Sequence, residues 1–350
     1  MNTVRVHASK DYNIHIGKGL LCSLGKEIQG LGRVRKVCLV TDSNVFPLWG
    51  ETVLSVIQDA GIDVVSYVFP AGEASKNGIT YLDLLNTLAE NKLTRTDLIV
   101  ALGGGVVGDL AGFAAATYLR GIRYVQIPTT LLAAVDSSVG GKTAIDLPAG
   151  KNLVGAFYQP SLVLCDTDVL NTLPLDVFRD GCAEVIKYGI LFDSDLFDYL
   201  EETGLDFDRE TVITRCVQWK RDVVAKDEFD TGLRMKLNLG HTIGHGVEAR
   251  SQFTISHGRA VAIGMAIMAR SAVHMGLCET QCCKKILGIL KQFGLDTKTD
   301  YTASELHSYT LSDKKCAGGT ICLIIPRAIG SCDIVPTAVE DLLSIIQAGL

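Results

Sequence analysis

Short apolar runs alternate with amphipathic segments through the first half of the chain, and this alternation constrains the fold more than any other feature. The apolar runs predict buried strands at residues 37–40, 64–69, 98–102, 124–127 and 162–165. Helical periodicity between them predicts helices at residues 45–60, 77–92 and 109–119. Such an order is typical of a mostly parallel sheet covered by helices. An antiparallel pair of strands is predicted before it, at residues 3–7 and 12–16.

The second half of the chain has mainly helical periodicity. Helices are predicted at residues 176–191, 194–202, 209–226, 236–249, 257–275, 279–293 and 303–311. A hairpin at residues 320–325 and 331–335 and a closing helix at 337–347 complete the pattern. A length of 350 residues favours two domains. We therefore predict an α/β domain over residues 1–174 and a mainly α-helical domain over 175–350, with the active site expected between them.

Composition excludes several classes of protein. The net charge of −6 and the pI of about 5.7 argue against a broad nucleic-acid or membrane footprint. The N-terminus alternates like a strand and lacks a signal-peptide core, and no apolar run reaches transmembrane length. The 11 cysteines include no C-x-x-C pair, which favours free thiols in a reducing cytosol and predicts a cytoplasmic protein.

A glycine-rich turn, Gly103 to Asp109, follows the strand predicted at 98–102 and precedes a helix. Glycines there let a pyrophosphate approach the backbone, and the helix N-terminus offers free N–H groups. The spacing differs from G-x-G-x-x-G, so an ordinary tight strand–helix turn is the alternative. Two other strand ends carry polar residues that could hold a nucleotide, Asp42 for its ribose hydroxyls and the loop of Gly72, Glu73 and Lys76.

Residues 136–152 have no apolar period at helical or strand spacing. The stretch combines glycines, hydroxyl groups and the two lysines Lys142 and Lys151. Such a segment brings backbone N–H and ammonium groups close to an anion. A solvated surface loop is the alternative interpretation.

Three of the seven histidines fall within 17 residues: His241, His245 and His257. The first two are four apart and share one helix face, and His257 follows Ser256, a plausible N-cap. A catalytic zinc site needs three protein ligands and an open position. Glu184 is the best carboxylate candidate, because an unpaired carboxylate on its apolar helix would be costly. The spacing leaves open whether His245 is a ligand or a neighbouring acid/base.

The chain contains several further basic residues. Considered one at a time, each is best interpreted as a solvated surface charge. Together with Lys142 and Lys151 they would suit a substrate that carries a phosphate and a carboxylate. They are Lys187, Lys220, Arg234, Lys314 and Lys315.

Taken in their order along the chain, the segments between about residue 41 and residue 326 resemble those of the 3-dehydroquinate synthase family of sugar-phosphate cyclases. The motifs that carry the resemblance are 103–109, Arg120-Gly121-Ile122-Arg123, 128–130, 136–146, 150–152, Glu184-x-x-Lys187, 238–248 and His257-Gly258. The resemblance implies an N-terminal Rossmann-like nucleotide-binding domain that binds NAD, followed by a mainly α-helical C-terminal metal and substrate domain. It also implies a divalent metal, Zn²⁺ or Co²⁺, and a homodimer.

The resemblance also assigns roles to individual residues. Glu184, His241 and His257 would be the metal ligands, and His245 would contact the substrate and carry a proton. The substrate pocket would be lined by Arg120, Asp136, Lys142, Lys151, Asn152, Lys187, Lys220, Arg234, Asn238 and one of Lys314 and Lys315. The nucleotide would be held by Asp42, Gly72, Glu73, Lys76, Gly104, Gly105, Val106, Asp109, Thr129, Thr130, Thr172, Lys142 and Lys151.

The reaction implied is the conversion of 3-deoxy-D-arabino-heptulosonate 7-phosphate to 3-dehydroquinate and phosphate in the shikimate pathway. It would proceed by transient oxidation with NAD⁺, phosphate elimination, re-reduction and intramolecular aldol closure. Sibling cyclases of the 2-deoxy-scyllo-inosose or valiolone type, and metal-dependent alcohol or glycerol dehydrogenases, are the alternatives. Two positions depart from the family pattern, since Arg259 and Asp230 stand where Glu is common.

Overall fold

The computed structural model describes residues 1–310 and 319–350 and divides into two compact units. The first unit comprises Met1–Pro174 and Arg209–Phe229, and the second comprises Leu175–Asp208 and Asp230–Leu350. Residues 209–229 thus group with the first unit, although residues 175–208 precede them in the sequence. The reason is that the helix Arg209–Lys226 packs against the N-terminal strand Asn2–Val6.

The first unit is built on a seven-stranded sheet with strand order β1-β2-β9-β6-β5-β3-β4. Strands β1 and β2 are antiparallel, and the other neighbouring pairs are parallel. Every residue of β5 is buried, as expected for a central parallel strand covered on both faces. The strands are β1 (Asn2–Val6), β2 (Tyr12–Gly17), β3 (Lys36–Asp42), β4 (Asp63–Phe69), β5 (Leu98–Gly103), β6 (Arg123–Pro128), the separate hairpin β7 (Lys142–Leu147) and β8 (Gly150–Phe157), and β9 (Leu162–Asp166).

Helices follow the strands of this unit and continue through the second. Their bounds are α1 (Leu24–Gly30), α2 (Glu51–Asp59), α3 (Gly78–Glu90), α4 (Gly105–Thr117), α5 (Leu175–Phe192), α6 (Ser194–Thr203), α7 (Arg209–Lys226), α8 (His241–Arg250), α9 (His257–His274), α10 (Thr280–Gln292), α11 (Ala303–Thr310) and α12 (Val339–Gly349). Local chemistry sets their starts. Asn77, for example, caps α3 by accepting from the backbone N–H groups of Ile79 and Thr80. Within 1–310 and 319–350, no helix is long and apolar enough to cross a bilayer.

The second unit packs around α9, which contacts α5, α8, α10 and α12 and the first strand of the hairpin β10 (Thr320–Ala328) and β11 (Ser331–Ala338). Helices α8 and α9 approach closely because glycines line their contact. A Cβ on Gly264 would lie 1.9 Å from the carbonyl oxygen of Gly240, and one on Gly244 would lie 3.0 Å from that of Ala260. Glycine at these positions brings the two histidine-bearing helices together.

The predicted fold class, an α/β domain followed by a mainly helical one, is confirmed. Three local predictions need correction. Residues 142–157 form the hairpin β7–β8 and not a loop, because Thr143, Ala144 and Ile145 are buried against α4 without strict alternation. Helix α1 was not predicted. Helix α8 begins at His241 and not at 236, since Gly240 has a left-handed φ of 77° that ends the preceding turn Leu233–Asn238.

Free thiols were predicted for the cysteines, and this is confirmed wherever the structure describes them. Most are buried in the two units, among them Cys38, Cys165 and Cys216. Burial raises the pKa of the Cys38 thiol to about 12, so it stays protonated and behaves as a small apolar side chain.

Candidate active site

Three side chains of the second unit converge on one point. The Nε2 atoms of His241 and His257 each lie 3.4 Å from Oε1 of Glu184. One ligand atom from each of the three residues lies within 4.8 Å of the others. Ligands bound at about 2.1 Å in a tetrahedral site are separated by roughly 3.4 Å. The donor set and its spacing therefore fit a divalent metal of the zinc type.

Three different helices supply these donors. Glu184 is fully buried in α5, His241 is the first residue of α8, and His257 is the first residue of α9. The start of α9 is fastened to α5, because Oδ1 of Asp180 accepts from Ser256 Oγ at 2.5 Å and from the Arg259 N–H at 3.0 Å. A Cβ on Gly258 would lie 1.9 Å from the Asp180 carbonyl oxygen. Only glycine after His257 lets the ligand-bearing helices meet at this distance.

The outer nitrogen of each histidine ligand also has an acceptor. Nδ1 of His241 lies 3.1 Å from the Leu239 carbonyl oxygen, and Nδ1 of His257 lies 3.3 Å from Oε2 of Glu248. Burial lowers the pKa of His257, but hydrogen bonds to Glu184 and Glu248 outweigh it and raise the pKa to about 10. The same negative surroundings that hold a proton on this ring favour a cation at the site.

Other predicted residues of the second unit lie near the three ligands. His245 is one helical turn from His241, and its ring centroid lies 6.3 Å from that of His257. Lys187 is buried and pairs with Oε2 of Glu184. Arg234 and Asn238 lie in the turn Leu233–Asn238, which leads directly into His241. The structure thus joins His245 and Lys187 to the metal-type cluster, with Arg234 and Asn238 in the segment before it.

In the first unit, the glycine-rich turn lies at the carboxyl end of β5, as predicted. Helix α4 begins at Gly105 with no side-chain cap at Gly104, so its first turn, which includes Val106, presents backbone N–H groups. Thr129 donates its N–H to the Gly103 carbonyl oxygen at 3.0 Å. A Cβ on Gly104 would lie 3.0 Å from Cγ2 of Thr130. The turn and the two threonines therefore form one surface suited to a phosphate or pyrophosphate.

Five predicted residues form a charged cluster beside this turn. Nζ of Lys76 lies 2.6 Å from Oδ2 of Asp109 and 2.5 Å from Oδ1 of Asn152. Glu73 lies 3.8 Å from Lys76 Nζ and 3.6 Å from Lys151 Nζ. Burial lowers the pKa of Lys76, but Asp109 and Glu73 outweigh it and shift the pKa upward. Gly72, with φ of 111°, begins the loop that carries Glu73 and Lys76.

Asp42 is the last residue of β3, and Thr172 ends the turn Thr167–Thr172 that follows β9. Oδ1 of Asp42 accepts the N–H groups of Asn44 and Val45, so one carboxylate oxygen already shapes the turn after β3. The exposed Thr172 accepts a hydrogen bond from Trp49 Nε1 at 3.2 Å, in the segment after that turn. These residues remain candidates for nucleotide contacts at the carboxyl edge of the sheet.

Two predicted lysines of this unit have very different surroundings. Nζ of Lys220 is buried and lies 2.8 Å from Oδ1 and 2.6 Å from the carbonyl oxygen of Asp136. Lys142 is exposed at the start of β7. Arg120 lies in the exposed turn Tyr118–Arg120, beyond the C-terminal end of α4.

The structure shows the surroundings of Arg259 and Asp230, the two residues that depart from the family pattern. Arg259 is exposed and pairs with Asp296 at 2.9 Å, so its guanidinium forms a surface ion pair. Asp230 has a φ of 60°, a left-handed conformation that Asp tolerates better than most residues. Lys314 and Lys315 lie outside the described residues.

Sequence reasoning did not identify two residues next to the metal-type cluster. These are Glu248, which contacts His257, and Asp180, which contacts the start of α9. Glu248 is seven residues after His241 on α8, so helical spacing places it within two turns on the same face. That spacing was the available signal. Asp180 precedes Glu184 by one turn on α5, but its contact with Ser256 depends on the packing of α5 against α9 and has no local signal.

Known proteins share both the sequence and the architecture of this chain. The family model for the 3-dehydroquinate synthase N-terminal region matches residues 66–180, and that for the C-terminal region matches 181–316. A 3-dehydroquinate synthase from Microcystis aeruginosa is 43% identical over 354 aligned residues, which cover 97% of this chain and 97% of the relative. These matches confirm the resemblance inferred from the motifs.

Two solved structures share the fold of this chain over nearly its full length. A 2-deoxy-scyllo-inosose synthase complexed with carbaglucose-6-phosphate, NAD⁺ and Co²⁺ has a TM-score of 0.89 at 26% identity and covers 100% of both chains. A 2-epi-5-epi-valiolone synthase from Streptomyces hygroscopicus, with NAD⁺ and Zn²⁺ bound, has a TM-score of 0.87 at 28% identity over 98% of this chain and 99% of its own.

Proposed function

Since this chain belongs to the 3-dehydroquinate synthase family, we propose that its two clusters serve the reaction of that family. The chain is a carbon–oxygen lyase that converts 3-deoxy-D-arabino-heptulosonate 7-phosphate to 3-dehydroquinate and phosphate, a step of the shikimate pathway and of aromatic amino acid biosynthesis. The first unit binds NAD, and the second unit binds a divalent metal, Zn²⁺ or Co²⁺. NAD⁺ is needed catalytically and is regenerated in each turnover.

The observation that carries the metal assignment is the set of Glu184, His241 and His257, whose donor atoms meet within 4.8 Å. When bound there, a divalent ion supplies a Lewis acid that lowers the pKa of a substrate hydroxyl. Glu184 is held for this role by full burial and by its ion pair with Lys187. His245, on the same helix face as His241, contacts the substrate and carries a proton to or from it.

NAD, when bound, accepts a hydride from the substrate and returns it. The glycine-rich turn at Gly104 and Gly105 binds the pyrophosphate through backbone N–H groups at the start of α4. Thr129 and Thr130 extend this surface, and Asp42 binds ribose hydroxyls through the oxygen that the Asn44 and Val45 N–H groups do not use. The remaining contacts come from Gly72, Glu73, Lys76, Val106, Asp109, Lys142, Lys151 and Thr172.

The substrate brings a phosphate and a carboxylate, so it needs cations that it can reach from solvent. Lys142 is exposed and Lys151 is 28% exposed, which lets their ammonium groups reach an incoming anion. Lys220, held by Asp136, is preorganised and loses little side-chain entropy on binding. The other substrate contacts proposed are Arg120, Asn152, Lys187, Arg234 and Asn238.

A single assay tests this function. The protein is incubated with the heptulosonate phosphate, NAD⁺ and Co²⁺ or Zn²⁺, and phosphate release is followed together with absorbance at the NADH band. We expect continuous phosphate release with no NADH accumulating in proportion to product. Equal amounts of NADH and product would favour a dehydrogenase, and a carbocycle other than 3-dehydroquinate would favour a sibling cyclase.

The assembly and location follow from the family alone. We propose a homodimer in the cytoplasm that acts on a small phosphorylated sugar acid and binds neither nucleic acid nor membrane. Light scattering coupled to size-exclusion chromatography tests the dimer, since a monomer mass at micromolar concentration would contradict it.

A further inference from the structure

Glu248 is a buried carboxylate of the second unit that contacts His257 on the ring nitrogen opposite to the one near Glu184. It is 3% exposed in the last part of α8, and its Oε2 lies 3.3 Å from Nδ1 of His257. The opposite nitrogen of the same ring, Nε2, lies 3.4 Å from Oε1 of Glu184. One imidazole thus connects two buried carboxylates, one on each side.

The two histidines of the set have unequal outer partners. His241 has the neutral carbonyl oxygen of Leu239 at its Nδ1, whereas His257 has the charged carboxylate of Glu248. Either acceptor fixes the tautomer in which Nδ1 carries the proton and Nε2 has a free lone pair. A charged carboxylate makes the imidazole more basic than a neutral carbonyl oxygen does, and it also stabilises positive charge beyond the ring.

We infer that Glu248 is a positioning residue that orients His257 and strengthens its bond to the metal, while it stays outside the set of ligands. The inference rests on the metal site proposed above. Glu248 also forms a possible donor group with His245 and His257. It contacts Nδ1 of His257, however, and the nitrogen that faces Glu184 is Nε2, so Glu248 serves the far side of the ring.

The position of Glu248 on α8 explains how it can be held so accurately. His241, His245 and Glu248 follow at intervals of four and three residues, which places them along one face of the helix. The Glu248 carbonyl oxygen accepts from Ser251 Oγ at 2.8 Å and from the Phe253 N–H at 2.9 Å. These two hydrogen bonds cap the C-terminal end of α8. Helix α8 therefore carries one metal ligand and also the residue that orients a ligand on α9.

The test is Co²⁺ affinity of the purified full chain, measured by competition with a chelating indicator. Glu248→Gln keeps size and an acceptor oxygen but removes the charge. We expect it to fold like the parent and to bind Co²⁺ about 10-fold more weakly, at the lower end of the 10- to 100-fold range for outer-shell partners. The visible absorption of bound Co²⁺ should shift as well, because the donor strength of His257 changes.

Two controls separate this role from a general loss of charge or packing. Glu279→Gln removes one exposed carboxylate of the same unit and should leave Co²⁺ affinity unchanged. In a His257→Ala background, Glu248→Gln should change the remaining affinity by less than about twofold, because the residue acts through His257. Equal affinity of parent and Glu248→Gln, or an equal loss in both backgrounds, would overturn the inference.

A second measurement needs no change at Glu248. In the Co²⁺-loaded parent, the Nδ1 proton of His257 should appear as a hyperfine-shifted resonance, assigned by its disappearance in His257→Ala. It should exchange slowly with water, because a buried carboxylate accepts it. Exchange as fast as in free imidazole would contradict the role of Glu248, whereas failure of the parent to bind Co²⁺ would overturn the proposed metal site itself.

Discussion

The metal-type cluster of the second unit and the charged cluster of the first unit differ in how firmly their residues are held. Glu184 is fully buried, and its contacts with His241 and His257 have equal lengths of 3.4 Å. Within the five residues of the charged cluster, only Lys76 is comparably buried, while Lys151 and Glu73 are 28% and 36% exposed at their side chains.

The difference agrees with the ligand that we propose for each cluster. A metal ion requires donors at fixed distances and angles, so three helices are locked together by glycine contacts and by the Asp180 cap. An extended anion is attracted by charge over several ångströms, so flexible ammonium groups suffice and gain from access to solvent. Variants of the two clusters should therefore fail in different ways.

The largest effect is expected from His257→Ala, which removes one donor of the rigid cluster. The metal retained through purification and the phosphate release should both fall to background, because the two remaining donors bind the ion only weakly. His274→Ala, an exposed histidine at the other end of α9, should change neither. Elemental analysis and the phosphate assay check both variants, and full turnover by metal-free His257→Ala would contradict the ligand assignment.

Lys142→Ala tests the proposed anion site at residues 136–152. Loss of a cation that pairs with a bound anion should cost roughly 2–5 kcal/mol of binding or transition-state stabilisation. Stability should change by no more than about 0.5 kcal/mol, since Lys142 is exposed. Steady-state kinetics and thermal melting provide the two readouts, with the exposed Lys26→Ala on α1 as a control for charge. Parent-like kcat/KM, or failure to fold, would argue against an anion site at residues 136–152.

Gly258→Ala tests whether the rigidity of the metal cluster depends on backbone contact. The new Cβ would lie 1.9 Å from the Asp180 carbonyl oxygen, and relieving that overlap should cost roughly 1–3 kcal/mol. Co²⁺ affinity should fall in parallel, because His257 moves with the start of α9. Gly288→Ala in α10, with open space around its Cβ, should instead stabilise the protein by about 0.5–1 kcal/mol. Similar melting of both variants would contradict this account.

Arg259→Glu should have the smallest effect. The side chain is 49% exposed and pairs with the similarly exposed Asp296, and surface pairs contribute about 0–1 kcal/mol. Restoring the residue common in the family should therefore lower stability only slightly and leave Co²⁺ affinity within about twofold. A large gain or loss in affinity would show that this position acts on the metal cluster despite its surface pairing.

Much of the fold and part of the site could be predicted from residues close in sequence. The strand at 98–102 was indicated by an unbroken apolar run and the turn after it by three glycines, and both lie where predicted. The four-residue spacing of His241 and His245 placed them on one helix face. The hairpin β7–β8 was missed because Thr143, Ala144 and Ile145 are buried consecutively and show no strand period.

Within the chain, then, periodicity and spacing determined the two-part architecture, the nucleotide-type turn and the histidine cluster, since these depend on steric and hydrogen-bonding rules that act over a few residues. Glu184 was predicted as the carboxylate partner of the histidines from its apolar helix and from the family resemblance. Tertiary structure alone decided that Asp180 caps α9 and that Glu248 faces His257. Helix α7 joins the first unit for the same reason. These contacts depend on the distance between packed helices. A few glycines and buried polar pairs set that distance, and they do so only when the whole unit has folded.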